Sequence, residues 1–248
     1  MTSQCLEAEV HKLRHTPSVW WLAGAALAAV AFGLVLTLSL TPISSGSDVR
    51  SVLSFAGTSG LVAMLLGLVW TTGEYRHRTI VSMVLATPSR IPAYLAQIVG
   101  LALAGALVGL LAAILTTAVT LPWLAAKDVP LGISWISVLA QYAGGIAFAA
   151  LSAMLGGGIG ALVRNQVSAV AVVFSYLAVI DPLLASLVPS YGKYGVTSIG
   201  VTLSGGTVGL NGQAASLLAV PVAAAVYVAC AALAVAAGAV ATSRRELP

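Results

Sequence analysis

The chain has 248 residues, of which 59% are hydrophobic and only 7% are charged. A soluble domain carries roughly a quarter charged residues, so this chain cannot cover a water-facing surface and is expected to be an integral membrane protein. Its net charge of +4 comes from basic residues at the edges of long apolar runs, which is typical of membrane topology and not of nucleic-acid binding.

Residues 1–17 precede the first apolar run and predict an amphipathic helix that lies in the membrane interface. Leu6, Val10 and Leu13 fall on one helical face, whereas the charged side chains fall elsewhere. The alternative is a frayed N-terminal tail.

Six apolar runs predict six transmembrane helices, because about 20 apolar residues are needed to cross roughly 30 Å of hydrocarbon. The third helix is expected to end near Pro122. Residues 189–213 are rich in Gly and Ser and are expected to form an exterior loop. A β-barrel would show short alternating segments, so the predicted fold class is an all-α integral membrane protein. The predicted spans cover residues 19–40, 51–73, 93–121, 133–163, 166–188 and 214–241.

The distribution of Lys and Arg predicts that both termini lie in the cytoplasm. In this orientation the cytoplasmic side carries eight basic residues and the exterior side three. Six spans also put both termini on one side, so the charge count and the topology agree. The cytoplasmic residues are Lys12, Arg14, Arg76, Arg78, Arg90, Arg164, Arg244 and Arg245, and the exterior ones are Arg50, Lys127 and Lys193.

A polar stretch at residues 73–90, the interspan segment, separates the second span from the third. It is too short and too charged to cross a bilayer. Thr79 can cap a short helix with an apolar face, and Pro88 can end it. The pattern predicts a cytoplasmic helix that presents itself to another molecule. The alternative is an ordinary loop that carries positive-inside arginines.

The order of these features resembles the ABC-2 family of ABC-transporter permeases. The second span is followed by Gly-Glu-Tyr-Arg-His-Arg-Thr, an apolar stretch, Thr-Pro-x-Arg and a long third span. The resemblance extends over the whole chain, from the amphipathic N-terminal segment to the basic end at Arg244 and Arg245. The residues of the interspan segment that match the family pattern are Gly73, Glu74, Tyr75, Arg76, Thr79, Pro88 and Arg90.

The resemblance implies a permease domain that exports cargo, pairs with a second permease subunit as a homodimer, and works with two copies of an ABC ATPase subunit. ATP and Mg would bind to that partner, so this chain would hold no cofactor or metal and would not be an enzyme by itself. In the family, the segment after the second span is a coupling helix that docks on the ATPase. The residues assigned to coupling are Glu74, Tyr75, Arg76, Arg78, Thr79, Ile80, Val84, Pro88 and Arg90.

The chain carries no ATPase motif of its own. A P-loop requires G-x-x-x-x-G-K-[ST], and the only Gly-Lys pair, Gly192-Lys193, is followed by Tyr194. Residues 203–206 imitate the signature motif of ABC ATPases, but they lie in the predicted exterior loop and are interpreted as a coincidence. An ATP-driven permease with this sequence must take its motor from another subunit.

Residues 57–60 match the G-x-S-G motif of rhomboid intramembrane proteases. Nucleophilic catalysis needs a base within reach of the serine. The three histidines lie outside the predicted spans, whereas Ser59 lies inside the second, so a protease is disfavoured. Small residues here and in three glycine-containing sets, at 105–109, 144–145 and 156–160, are expected to allow close helix packing, within one subunit or between two.

Asp181 is the only ionisable residue well inside a predicted span. Charges at the bilayer centre are costly and tend to face a cavity or a partner. One interpretation is a residue that lines the translocation path. The other is a span that ends early at Pro182, so that Asp181 already lies at the outer interface.

Other classes of function stay open at this point. The alternatives to an ATP-driven exporter are an ATP-independent secondary carrier and a membrane assembly factor. Carriers often show repeated halves and ionisable residues at the midplane, and neither is evident here. An apolar pathway suits an amphipathic drug, peptide or lipid-like cargo. The expected location is the plasma membrane, in a bacterium.

Overall fold

The computed structural model describes residues 11, 16–43, 45–76, 90–163, 165–188, 191–206 and 217–244. These residues are almost entirely helical, and no strand occurs among them. Six helical segments are long and apolar enough to cross a membrane, which confirms the all-α membrane class. The six segments are Val19–Leu40, Gly46–Glu74, Ile91–Ala126, Trp135–Val163, Gln166–Leu187 and Val220–Ser243.

The helices are numbered α1 to α9 in chain order. Large apolar side chains lie on the outside of the bundle, among them Trp21, Ile136 and Val167, as contact with lipid requires. Most of the predicted interfacial helix, and residues 77–89 of the interspan segment, lie outside the described residues. The helices are α1 (Pro17–Leu40), α2 (Gly46–Leu53), α3 (Ser59–Arg76), α4 (Arg90–Ala126), α5 (Trp135–Val163), α6 (Gln166–Ser175), α7 (Asp181–Leu187), α8 (Val196–Leu203) and α9 (Val220–Arg244).

The second spanning segment begins earlier than the sequence predicts, at Gly46. A capping box explains this start, because Ser45 and Asp48 each accept a hydrogen bond from the other's backbone N–H. The charged residues Asp48 and Arg50 therefore lie in the first helical turns. A short 3-10 turn, Ser54–Thr58, then joins α2 to α3.

The third spanning helix, α4, does not end near Pro122 as predicted but continues to Ala126. A proline removes one backbone hydrogen bond, which a helix tolerates close to its end. The helix stops instead at Asp128, whose φ of 54° is left-handed. Val129 N–H donates to the Leu124 carbonyl and Asp128 N–H to that of Ala125, the two bonds of a Schellman motif.

The fifth spanning segment passes through Pro182 without ending. A π-helical turn, Tyr176–Ile180, precedes the proline, and the Asp181 N–H donates to the Tyr176 carbonyl five residues back. Pro182 has no N–H, and its ring would crowd the carbonyl four residues earlier in a regular helix. The wider π turn relieves that crowding. The helix therefore does not end at Pro182, and the position of Asp181 relative to the membrane interface stays a prediction.

The predicted exterior loop at 189–213 contains a buried helix, α8. Most of its side chains are inaccessible, including Thr197, Ile199 and Leu203. It packs against α5, α7, α9 and the 3-10 turn. The Gly- and Ser-rich composition that predicts a loop instead permits close packing, because a side chain at Gly200 would collide with the ring of Phe148.

The helix α5 forms the centre of the bundle and contacts α3, α4 and α9. Glycines set these contacts. A Cβ at Gly156 would collide with the Met64 carbonyl of α3, and one at Gly67 with the Ala153 carbonyl of α5. Lipid supplies no hydrophobic drive for helix association, so van der Waals contact between closely packed backbones holds the helices together. The glycine sets therefore pack helices within one subunit.

We expect Gly156→Ala to lower the free energy of unfolding by about 1–3 kcal/mol, because α3 and α5 must separate to admit a methyl group. Gly24→Ala is the matched control, since a Cβ added at Gly24 on α1 would have no atom within 4 Å. Thermal unfolding in detergent, followed by intrinsic fluorescence, measures both. Equal stability of the two variants would contradict the role of the α3–α5 contact.

Candidate functional site

Polar side chains gather at the two opposite ends of α3. At the C-terminal end, Glu74 is buried, with 8% of its surface exposed. Gln97 of α4 donates from Nε2 to Glu74 Oε2 over 2.9 Å. This bond joins α3 to α4 at the beginning of the interspan segment. Glu74 is thus turned into the protein and contacts α4.

The remaining residues assigned to coupling divide into two groups. Tyr75 and Arg76 belong to the last turn of α3, and Arg90 begins α4, so both ends of the interspan segment are helical. Arg78, Thr79, Ile80, Val84 and Pro88 lie outside the described residues. The assignment of all of them to coupling stays a prediction.

Asp181, near the opposite end of the bundle, is fully buried and receives three hydrogen bonds. Tyr191 Oη donates to Oδ1 over 2.7 Å. The Thr197 backbone N–H donates to Oδ2 over 3.1 Å, and the Thr197 hydroxyl donates to the same oxygen. Burial of a carboxylate is expensive unless such donors satisfy it. The three donors therefore satisfy the oxygens of this carboxyl group in its buried position.

These contacts make Asp181 the N-terminal cap of α8, supplied from another helix. The residue that precedes α8, Gly195, has no side chain to cap it. The free N–H of Thr197, the second residue of α8, is satisfied by Asp181 instead. A negative charge at a helix N-terminus also interacts favourably with the helix dipole. Gly195 is required because a Cβ would lie 2.6 Å from Asp181 Oδ1.

Tyr191 and Tyr176 extend the cap into a short hydrogen-bonded chain, with 2.7 Å between their hydroxyl oxygens. Burial, together with the hydrogen bonds to Tyr176 and Asp181, raises the pKa of Tyr191 well above its ordinary value. The hydroxyl therefore stays protonated at physiological pH and donates to Asp181. Tyr176 must then donate to Tyr191, because the proton of Tyr191 is already used.

This geometry assigns Asp181 a structural role that the sequence does not predict. Its side chain has no exposed surface from which to line a translocation path in this conformation. A role in translocation stays a prediction. The signal that sequence reasoning missed is Gly195 at the start of a helix. The first N–H groups of a helix have no partner within it, so a helix that begins after glycine needs an acceptor from another segment.

A cavity of about 460 Å³ adjoins this cap. It lies between the end of α1, the 3-10 turn, α5 and α8, at the end of the bundle remote from Arg76. Seven of its thirteen lining residues carry a hydroxyl group, so its wall is polar for a membrane protein. Thr197 lines the cavity with one side and bonds Asp181 with the other. Sequence reasoning missed the cavity, because its serines and threonines come from three distant stretches of the chain.

Ser59 does not have the surroundings of a nucleophile. Its side chain is fully buried, and its hydroxyl donates to the Ala56 carbonyl over 2.6 Å. A Cβ at the neighbouring Gly60 would collide with the ring of Phe148, and one at Gly57 would lie 2.5 Å from Ser204 Cβ. The motif at residues 57–60 thus serves packing between α3, α5 and α8. Within the described ranges, no group of three His, Cys, Asp or Glu residues could hold a metal ion.

No protein-family model and no curated protein matches the chain. The chain is a multi-pass, all-helical membrane protein with a buried capping carboxylate and a hydroxyl-lined cavity at one end of the bundle.

We expect Asp181→Asn to lower the free energy of unfolding by about 1.5–3 kcal/mol, because hydrogen bonds to a charged acceptor are lost. Asp128→Asn is the matched control, since Asp128 is exposed and asparagine also accepts a left-handed φ. Thermal unfolding in detergent measures both variants. A translocation-path residue would behave differently, with unchanged stability and impaired transport.

Proposed function

We propose that the chain is the permease subunit of an ATP-driven exporter and that its interspan segment docks on a separate ATPase subunit. The observation that carries the proposal is the position of that segment between two spanning helices, α3 and α4, which the Glu74–Gln97 bond ties together. The sequence pattern of the segment, which resembles ABC-2 permeases, supports the same assignment. The exported cargo would be amphipathic.

The contacts of α3 suggest how movement of the ATPase would reach the membrane. A push on the interspan segment acts on α3 and α4 together, because Glu74 and Gln97 join them. The helix α3 then packs along α5 through Gly67 and Gly156. ATP binding to the partner would favour one of two arrangements of these helices, since a ligand shifts a conformational equilibrium toward the state it binds better.

A secondary carrier is the second candidate. Carriers commonly bind ions or substrates at ionisable residues inside the membrane. Asp181 is a buried ionisable residue in the fifth spanning segment, and its oxygens are occupied by Tyr191 and Thr197. This arrangement favours a structural role and counts against a carrier.

We expect an ATPase subunit to co-purify with the wild-type chain, and the double charge reversal Arg76→Glu/Arg78→Glu to remove it. Reversing the charge opposes any acidic docking surface, at a cost of several-fold to many-fold in affinity. Ile80→Glu should act in the same direction through the apolar face of the segment. Quantitative mass spectrometry of the purified complex measures the bound ATPase.

Lys127→Glu is the control for this experiment. Lys127 is exposed, in the connection between α4 and α5, at the end of the bundle remote from Arg76. The same change of charge there should leave ATPase binding intact. If all three variants retain the ATPase equally, or if no ATPase binds the wild-type chain, the proposed function is wrong.

A further inference from the structure

Most of the hydroxyl groups in the wall of the cavity beside α8 already donate their protons to other protein groups. Thr37 donates to the Gly33 carbonyl over 2.9 Å. Ser54 donates to Ser51, Thr58 to Phe55 and Ser204 to Gly200, each over 2.7 Å to a backbone carbonyl. A hydroxyl group has one proton and two acceptor lone pairs. These four residues therefore meet a ligand as hydrogen-bond acceptors.

The charged groups next to the cavity wall also favour a cation over an anion. No Lys, Arg or His is found among the described residues that line it. The carboxylate of Asp181 lies one hydrogen bond behind the wall, through Thr197. Its negative charge is only partly offset by the N-terminus of α8. In a surrounding of low dielectric constant, the charge of Asp181 interacts strongly with a charged ligand in the adjoining cavity.

Two aromatic rings complete the wall, those of Phe55 and Phe148. The Phe148 ring is held in place by Tyr227, with 5.0 Å between the ring centroids. The rings therefore make part of the wall apolar and rigid. Acceptor oxygens and a nearby negative charge are together complementary to a cation that carries N–H groups.

We infer that this cavity binds the ammonium group of a small amine-bearing ligand. The volume of about 460 Å³ accommodates an aromatic or short aliphatic amine but not a large peptide. Carboxylate- or phosphate-bearing ligands are disfavoured, because the wall would offer them acceptors in place of donors. The assignment depends on this chain alone and holds with or without an ATPase partner.

Thiol labelling inside the cavity tests the preference for cations. Thr58→Cys is prepared in a Cys5→Ser/Cys230→Ala background, in phosphatidylcholine nanodiscs. It is treated with aminoethyl or sulfonatoethyl methanethiosulfonate, each of which forms a disulfide and releases methanesulfinate. For each variant, the labelling rate with the cationic reagent is divided by the rate with the anionic reagent. This ratio is expected to be about tenfold higher at Thr58→Cys than at Ala126→Cys, an exposed position at the same end of the bundle.

Protection of Thr58→Cys distinguishes an ammonium site from general attraction of positive charge. Benzylammonium is expected to slow labelling at concentrations where benzoate has no effect. Benzyltrimethylammonium, which has no N–H group, should protect more weakly. Equal rate ratios at residues 58 and 126, or protection by benzoate equal to that by benzylammonium, would overturn the assignment. Ser54→Cys gives a second reporter if Thr58→Cys does not fold.

An acceptor variant tests the wall itself. Thr37→Val keeps the shape of the side chain and removes one acceptor, so protection by benzylammonium is expected to weaken several-fold. Thr242→Val is the matched control, because Thr242 also donates to the carbonyl four residues back, at the other end of the bundle. Equal protection in the two variants would also overturn the site. If no ATPase co-purifies with the wild-type chain while protection is intact, only the proposed function is overturned.

Discussion

The close approach of α3 and α5 is the contact on which the rest of the bundle depends. Gly67 and Gly156 bring each backbone against a carbonyl of the other helix, so the two axes are held at a distance that no larger residue permits. Lipid does not drive helices together, which leaves such contacts to hold the fold. The helices α4 and α9 then pack on α5. The positions of the polar groups at both ends of α3 follow from this central pair.

Much of the architecture could be predicted from apolar run length alone, because a bilayer of fixed thickness sets the length of a helix. The exceptions arise where backbone chemistry decides. Pro122 and Pro182 suggest helix ends in the sequence, yet α4 continues to a Schellman motif and a π turn accommodates Pro182. The helix α8 is predicted as a loop, because Gly and Ser are common both in flexible loops and in closely packed helices, and composition does not distinguish the two.

The candidate sites were harder to predict, because they depend on contacts between distant segments. Asp181 stands out in the sequence, but its partners Tyr191 and Thr197 lie in a stretch that composition assigns to a loop. The cavity draws its hydroxyl groups from α1, the 3-10 turn and α8, so no local motif announces it. Glu74 is the reverse case. Its place beside Arg76 suggests an exposed charge, whereas the structure turns it inward onto Gln97.

The cap of α8 has a consequence for how the chain enters the membrane. Asp181 and the N–H that it satisfies are only 16 residues apart, so the pairing needs no later helix. A lone carboxylate in hydrocarbon costs roughly 2.5–3.5 kcal/mol on insertion scales, which would slow the partition of the fifth span. When α7 and α8 enter together as a hairpin, that carboxylate is solvated by protein from the start. The pairing of this carboxylate is thus complete within one hairpin and needs no contact from α9.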